Sequence, residues 1–302
     1  LDLSQKQVEK NSLIVSAIVN LVMAGTGIWV FAATGIHALF LDGVFSLIGC
    51  ISNAFAIVIS TLSKKRTKTY PEGMYFIEPL YAIMKSLLTL TLMVVSVVAT
   101  AGVAHSYFVH GTGEPMNIGP VLPYTVAIVV LCFGLSFYNK WQNKKTGCIS
   151  TILTAESKSN FVDGILSLGV GIAIVLLRFI YIDGALGFLH YTGDFFVTLI
   201  LCLISLKAPI AVIIHSFKEL SNGVTGDVEI QRNVKSVMLK HLDGITAEAK
   251  YKVYKVGMHI RIRIYLTSEI NIKAFEKLIQ ARNSIMAQLK ASYDSVEIIF
   301  AF

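Results

Sequence analysis

Apolar residues run almost unbroken through six stretches, at about 12–34, 38–61, 75–104, 119–139, 151–180 and 193–216. A helix needs about 20 such residues to cross the hydrocarbon core of a bilayer, so the pattern predicts six transmembrane helices. Beyond residue 221 the pattern changes character. Within Asp227–His241, Val228, Ile230, Val234, Val237 and Met238 supply an apolar stripe, which predicts a helix. Ile260, Ile262 and Ile264 then alternate with His259, Arg261 and Arg263, the period of a strand with one covered face.

The rest of the tail follows from the same reading. Strands are expected over Ile245–Val256 and Met258–Tyr265 with Gly257 at the turn, then a helix over Asn271–Leu289 and a strand over Ser295–Phe302. The order αββαβ predicts a two-layer α/β unit, a fragment of the ferredoxin-like pattern. With ~80 residues it is large enough to fold and small enough to gain from dimerisation. The expected division is a membrane domain over 1–221 and a cytoplasmic domain over 222–302.

Composition and charge sharpen this picture. The chain is 54% hydrophobic and only 15% charged, which excludes an ordinary soluble domain. Lys64, Lys65, Arg66 and Lys68 follow the second stretch, Lys140, Lys144 and Lys145 the fourth, and Lys218 the sixth. The opposite loops hold His105, His110, Glu114, Asp183 and His190, with almost no Lys or Arg. By the positive-inside rule both termini lie in the cytoplasm, and a plasma (bacterial inner) membrane location is expected. The net charge of +7 fits a basic surface beside anionic lipid; no basic stripe interleaved with aromatics points to nucleic acid. The four cysteines are scattered without a CxxC pair, so neither disulfides nor a thiolate cluster are expected.

Against this background two intramembrane acids stand out, Asp42 and Asp163. An ionised side chain at mid-membrane costs about 2.5–3.5 kcal/mol on insertion scales, and such groups face cavities and handle ions or protons. Helical spacing puts Asp42, Ser46, Gly49, Cys50 and Asn53 on one face of the second stretch. It puts Glu156, Ser159, Asn160, Asp163 and Ser167 on one face of the fifth. These faces form the candidate site, with Asp42, Ser46, Ser159 and Asp163 as cation or proton ligands and Asn53, Lys85, Glu156 and Asn160 in support. His37, His105, His110, His190 and His215 all sit toward helix ends, and oxygen donors without imidazole suit hard cations such as manganese or magnesium better than zinc. Lys85 lies roughly 15–18 Å along the third helix from the cytoplasm, near the depth of Asp163, so Asp163 or Asp42 is its expected partner. Lys207, followed by Pro209, marks a snorkelling or kink feature.

Three segments carry a resemblance to the cation diffusion facilitator family. ALFLDGVFSL (38–47) is similar to the family's second-span motif, YPEGMYFIEP (70–79) to its loop entering span three, and AESKSNFVDG (155–164) to its fifth-span motif, which ends in a metal-binding Asp. The resemblance implies a homodimeric proton-coupled exporter of a divalent cation, zinc- or manganese-like, and neither an enzyme nor a holder of a resident cofactor. It also implies four ligands, an i, i+4 pair from each of spans two and five, with Asp42 and Asp163 as tentative metal ligands. This sequence departs from that pattern. Ser159 stands where zinc-transporting relatives carry His or Asp, and either Phe45 and Gly49 or the pair Asp42 and Ser46 occupy the span-two positions. Met74–Ile77, ahead of Glu78, holds no Lys or Arg, which removes the base of the interdomain salt bridge that the resemblance implies. In relatives that bind regulatory zinc in the tail, several His and Asp on its strands and second helix do so; this chain offers His241, Asp243 and His259, and an uncomplexed dimer domain is expected. The alternatives are a carrier of a monovalent or organic cation on a rebuilt metal site, and a non-transporting dimer partner or scaffold.

Overall fold

The computed structural model describes residues 4–34, 37–113, 118–177, 179–181, 184, 186–242, 250–265 and 272–301. Seven helices come first: α1 (Gln5–Thr34), α2 (His37–Leu62), α3 (Ile77–His110), α4 (Ile118–Lys145), α5 (Thr151–Leu177), α6 (Leu189–Ser205) and α7 (Lys207–Leu220). Among the described residues five stretches are long and apolar enough to cross a membrane: one each in α1, α2, α3 and α4, and one along α6 and α7 together. Helix α5 is of similar length but carries Glu156, Lys158 and Asp163, and is not one of the five.

The helices point apolar side chains outward and keep small and polar ones between them. Trp29, Phe55, Val98, Phe137 and Leu203 are exposed, whereas Ser12, Ser16, Asn139 and Thr151 are buried. This inversion of a water-soluble core suits a lipid surround, where close backbone approach and interhelical hydrogen bonds hold helices together. Gly27 of α1 meets Gly43 of α2 so closely that a Cβ on Gly27 would lie 2.8 Å from the Gly43 Cα. Ser12 donates to Asn139 (2.8 Å) across α1 and α4. Ser136 and Ser157 hydroxyls donate to each other's backbone carbonyls (2.8 and 2.9 Å) across α4 and α5.

The last apolar stretch is interrupted at one residue. Leu206, between α6 and α7, keeps helical angles (φ −50°, ψ −35°), and its N–H still donates to the Cys202 carbonyl. Pro209, one turn on, has no N–H to give the Ser205 carbonyl, and a missing bond of this kind bends a helix. The break between α6 and α7 falls beside Lys207 and Pro209, where the sequence marks a snorkelling or kink feature.

The tail consists of α8 (Val228–Leu242), β1 (Lys250–Val256), β2 (His259–Tyr265), α9 (Ile272–Ser292) and β3 (Ser295–Ala301), in the expected αββαβ order. Asp227 caps α8 by accepting the Glu229 and Ile230 N–H groups (3.0 and 3.3 Å). The sheet has the order β1-β2-β3, antiparallel between β1 and β2 and parallel between β2 and β3, with α9 as the crossover. Ile260, Ile262 and Ile264 are fully buried and pack with Val234, Met238, Ile285 and Leu289 from the helices. Ile149, from the connection between α4 and α5, joins the same cluster, and Tyr75 packs on it from the loop before α3. The tail therefore shares its core with the ends of the membrane helices.

Candidate functional site

A cavity of about 230 Å³ opens between the helices. Asn20 of α1, Ser46 and Gly49 of α2, Lys85, Thr89 and Ser96 of α3, Ser159, Asn160 and Asp163 of α5, and Thr198 of α6 supply its polar wall. From Lys85 it runs along α3 to Thr100, away from the end of the bundle that carries the tail. Helical periodicity explains the α5 contribution: positions 159, 160, 163 and 167 follow the i, i+4 rule and share one stripe.

Most of the residues expected at the site do meet here. Ser46, Ser159, Asn160, Asp163 and Lys85 all line the cavity, and Phe45 and Gly49 line it beside Ser46. Asp163 is exposed within it. Ser159 Oγ lies 3.0 Å from Thr89 Oγ1, which in turn donates to the Lys85 carbonyl. Asn160 Nδ2 is buried without a protein partner. The Asp42 side chain lies outside the described residues.

Two expectations require correction. Glu156 does not line the cavity: it is fully buried, one turn nearer the tail, where the helices close. Lys85 pairs with this residue, Nζ lying 3.5 Å from Glu156 Oε2, where Asp163 or Asp42 was the expected partner; among the described side chains its ion pair is to Glu156. Depth along the helix alone had suggested those acids; the facing direction of α3 decides otherwise. Positions 78, 81 and 85 form one stripe of α3, and Tyr81, four residues before Lys85, donates its hydroxyl to Glu156 Oε1. Asn53 is also fully buried and stands behind the cavity. With its amide turned to satisfy its neighbours, the nitrogen donates to Glu156 (3.2 and 2.6 Å) and the oxygen accepts from Asn20 (2.8 Å). Lys85, Glu156, Tyr81 and Asn53 thus make a sealed polar floor.

A second cluster lies between the helix ends and the tail, and sequence reasoning missed most of it. Lys6 Nζ bonds Glu78 Oε1 (2.6 Å) and Glu9 Oε1 (2.7 Å), and Ser60 and Ser150 donate their hydroxyls to the Glu9 carboxylate. Glu219 accepts from Lys255 Nζ (2.6 Å) and from Thr151 Oγ1 (2.9 Å). Both acids also bind the β1–β2 turn: Glu219 Oε2, which Thr151 reaches as well, accepts the Gly257 N–H (3.0 Å), and Glu78 Oε2 accepts the Met258 N–H (3.1 Å). Gly257 has φ +57°, and a Cβ there would come within 2.7 Å of both Glu78 Oε2 and the Tyr75 carbonyl oxygen. Only glycine fits, for backbone angle and for space. The base that Met74–Ile77 lacks is supplied instead by Lys6, from the first turn of α1.

Chemically, the described residues of the cavity offer one exposed carboxylate, hydroxyls and amides, with an ammonium at its floor. Among the described residues no imidazole lines it, and Cys132 is its only thiol. This donor set favours oxygen-seeking cations. In comparisons with known proteins, the model of a family described as the cation efflux transmembrane domain matches residues 13–221. No curated protein matches the chain.

Proposed function

Because this chain belongs to the cation efflux family, and so is a multi-pass cation efflux transporter, we propose that it exports a divalent cation, manganese- or zinc-like, in exchange for protons. Asp163 is the central group. It is the carboxylate that the cavity exposes, whereas Glu156 is sealed under Lys85, and this contrast carries the reading. A carboxylate in contact with water can trade a proton for a cation, and binding one displaces the other by mutual charge repulsion. Ser46, Ser159 and Asn160 supply neutral oxygen atoms around it, with Asp42 as the span-two partner. In this reading α5 is the sixth span, its charges facing inward, and both termini are cytoplasmic. The cavity extends away from the tail, so the arrangement is outward-facing, and the Lys85–Glu156 floor closes the cytoplasmic path. The tail is a ferredoxin-like module through which two copies associate in a plasma (bacterial inner) membrane.

Lys85 supports a second reading. A fixed ammonium in the cavity wall opposes a divalent ion, and Met23, Phe45, Leu88 and Leu92 give the same wall apolar surface. Both features suit a monovalent or organic cation. Proteoliposome flux under an imposed pH gradient, with manganese, zinc, cadmium, sodium and a simple amine, separates the two. Asp163→Asn is expected to cut flux of the true cargo at least about tenfold, the equivalent of ~1.4 kcal/mol. Undiminished flux in that variant removes Asp163 from the mechanism.

A further inference from the structure

Outside the cavity, a buried imidazole faces two carboxylates without reaching either. His259, at the start of β2, is 8% exposed and stacks on Tyr75 (ring centroids 5.5 Å apart). Its Nδ1 lies 2.8 Å from Ser295 Oγ on β3, a bond that fixes the ring. Its Nε2 is buried and has no hydrogen-bond partner, and the nearest carboxylate oxygen, Glu297 Oε2, is 3.7 Å away. Glu72, from the loop between α2 and α3, completes the group: one ligand atom from each of Glu72, His259 and Glu297 lies within 4.8 Å of the others. In the tautomer whose Nδ1–H donates to Ser295, the Nε2 lone pair faces carboxylate oxygens, which favours a positive charge beside them; Arg261 supplies one here.

We propose that Glu72, His259 and Glu297 form a site for a borderline divalent cation such as zinc, bridging the loop before α3 to the tail sheet. One imidazole and two carboxylates are an established zinc donor set, with water completing the tetrahedron. The Ser295 bond plays the orienting part that metal-bound histidines require. Glu72 and Glu297 have side chains 45% and 29% exposed, so each can shift toward ligand distance without disturbing a core. Arg261 occupies the same space: its guanidinium bonds both Glu72 and Glu297. Its side chain is 20% exposed and can swing toward solvent, so the arginine and the metal compete for one pair of acids. The site shares no residue with the cavity and stands whether or not the cargo assignment holds.

Equilibrium binding of zinc chloride to the full-length protein in detergent tests this, in an Asp163→Asn background that weakens the proposed cavity site. One zinc per chain is expected. Arg261→Gln should tighten it about tenfold, as a competing cation is lost. His259→Gln should weaken it by more than about 100-fold, and Ser295→Ala about tenfold, the effect of losing an orienting partner. Glu297→Gln, a half-exposed change that leaves the buried ring intact, should also abolish high-affinity binding and guards against misfolding of the histidine variant. Zinc binding that is the same in wild type, His259→Gln and Glu297→Gln overturns the proposal. So does the absence of bound zinc in the Arg261→Gln protein.

Discussion

The cavity and the tail junction use the same chemical parts to opposite ends. In the cavity Asp163 is exposed and surrounded by hydroxyl and amide groups. At the junction Glu9, Glu78 and Glu219 are almost wholly buried, and each meets a lysine and several further donors. A carboxylate enclosed by fixed donors has little freedom to exchange its partner, because removing one leaves a charge stranded in a poor solvent. A carboxylate in a wet recess exchanges partners at low cost. Between them lies Glu156, at the cavity floor but bonded in the manner of the junction. In the proposed mechanism it separates the part of the bundle that exchanges ions from the part that holds shape.

The contrast is broken most severely by Glu219→Ala. It strands Lys255, which is 3% exposed, and is expected to cost about 3–5 kcal/mol, the usual penalty for removing one partner of a buried pair. Thermal unfolding in detergent, with protease sensitivity of the tail, reads it. Asp163→Asn, by contrast, should stay within about 0.5 kcal/mol of wild type in the same assay, as exposed substitutions do. Lys85→Gln should fall between, at about 1.5–3 kcal/mol for a hydrogen-bonded charge, because Tyr81 and Asn53 still serve Glu156. If the same variant also binds divalent cations more tightly, the ammonium is a charge barrier; unchanged affinity makes it purely structural. Gly257→Ala should cost about 1–3 kcal/mol through backbone strain and the crowding of Glu78, measured as earlier release of the tail.

The smallest effect concerns Cys148, beside the junction. Burial and the Glu229 carboxylate push its thiol up to about 12, so deprotonation is disfavoured until the pH approaches that value. At pH 8 only about one molecule in ten thousand carries the thiolate, and maleimide labelling should be slow. Glu229→Gln should speed it. Rapid labelling of the unaltered protein would mean that the junction is looser than its hydrogen bonds indicate.

The tail was readable because its buried positions follow simple periods. Alternation at Ile260, Ile262 and Ile264 fixes the strand, and Gly257 marks the turn that both N–H groups use. The cavity was readable in part, since helical spacing alone aligns Ser159, Asn160 and Asp163. Spacing along one helix does not reveal which neighbour it faces, and that is why Lys85 was matched by depth to Asp163 while its stripe turns toward Glu156. The junction was nearly invisible. Lys6 and Glu9 read as an ordinary charged first turn, and Glu219 and Lys255 as surface residues 36 positions apart, until folding brings them together.

The hairpin tip that enters the helix ends is recognised through its peptide groups, which every sequence possesses, and through the lack of a side chain at one place. Surface residues of the tail away from this contact can therefore drift over evolutionary time without loosening its seat, while any side chain at position 257 loosens it. A foreign tail grafted onto these helices would need a bare glycine at that tip, a lysine two residues before it, and a core able to receive Ile149 and Tyr75.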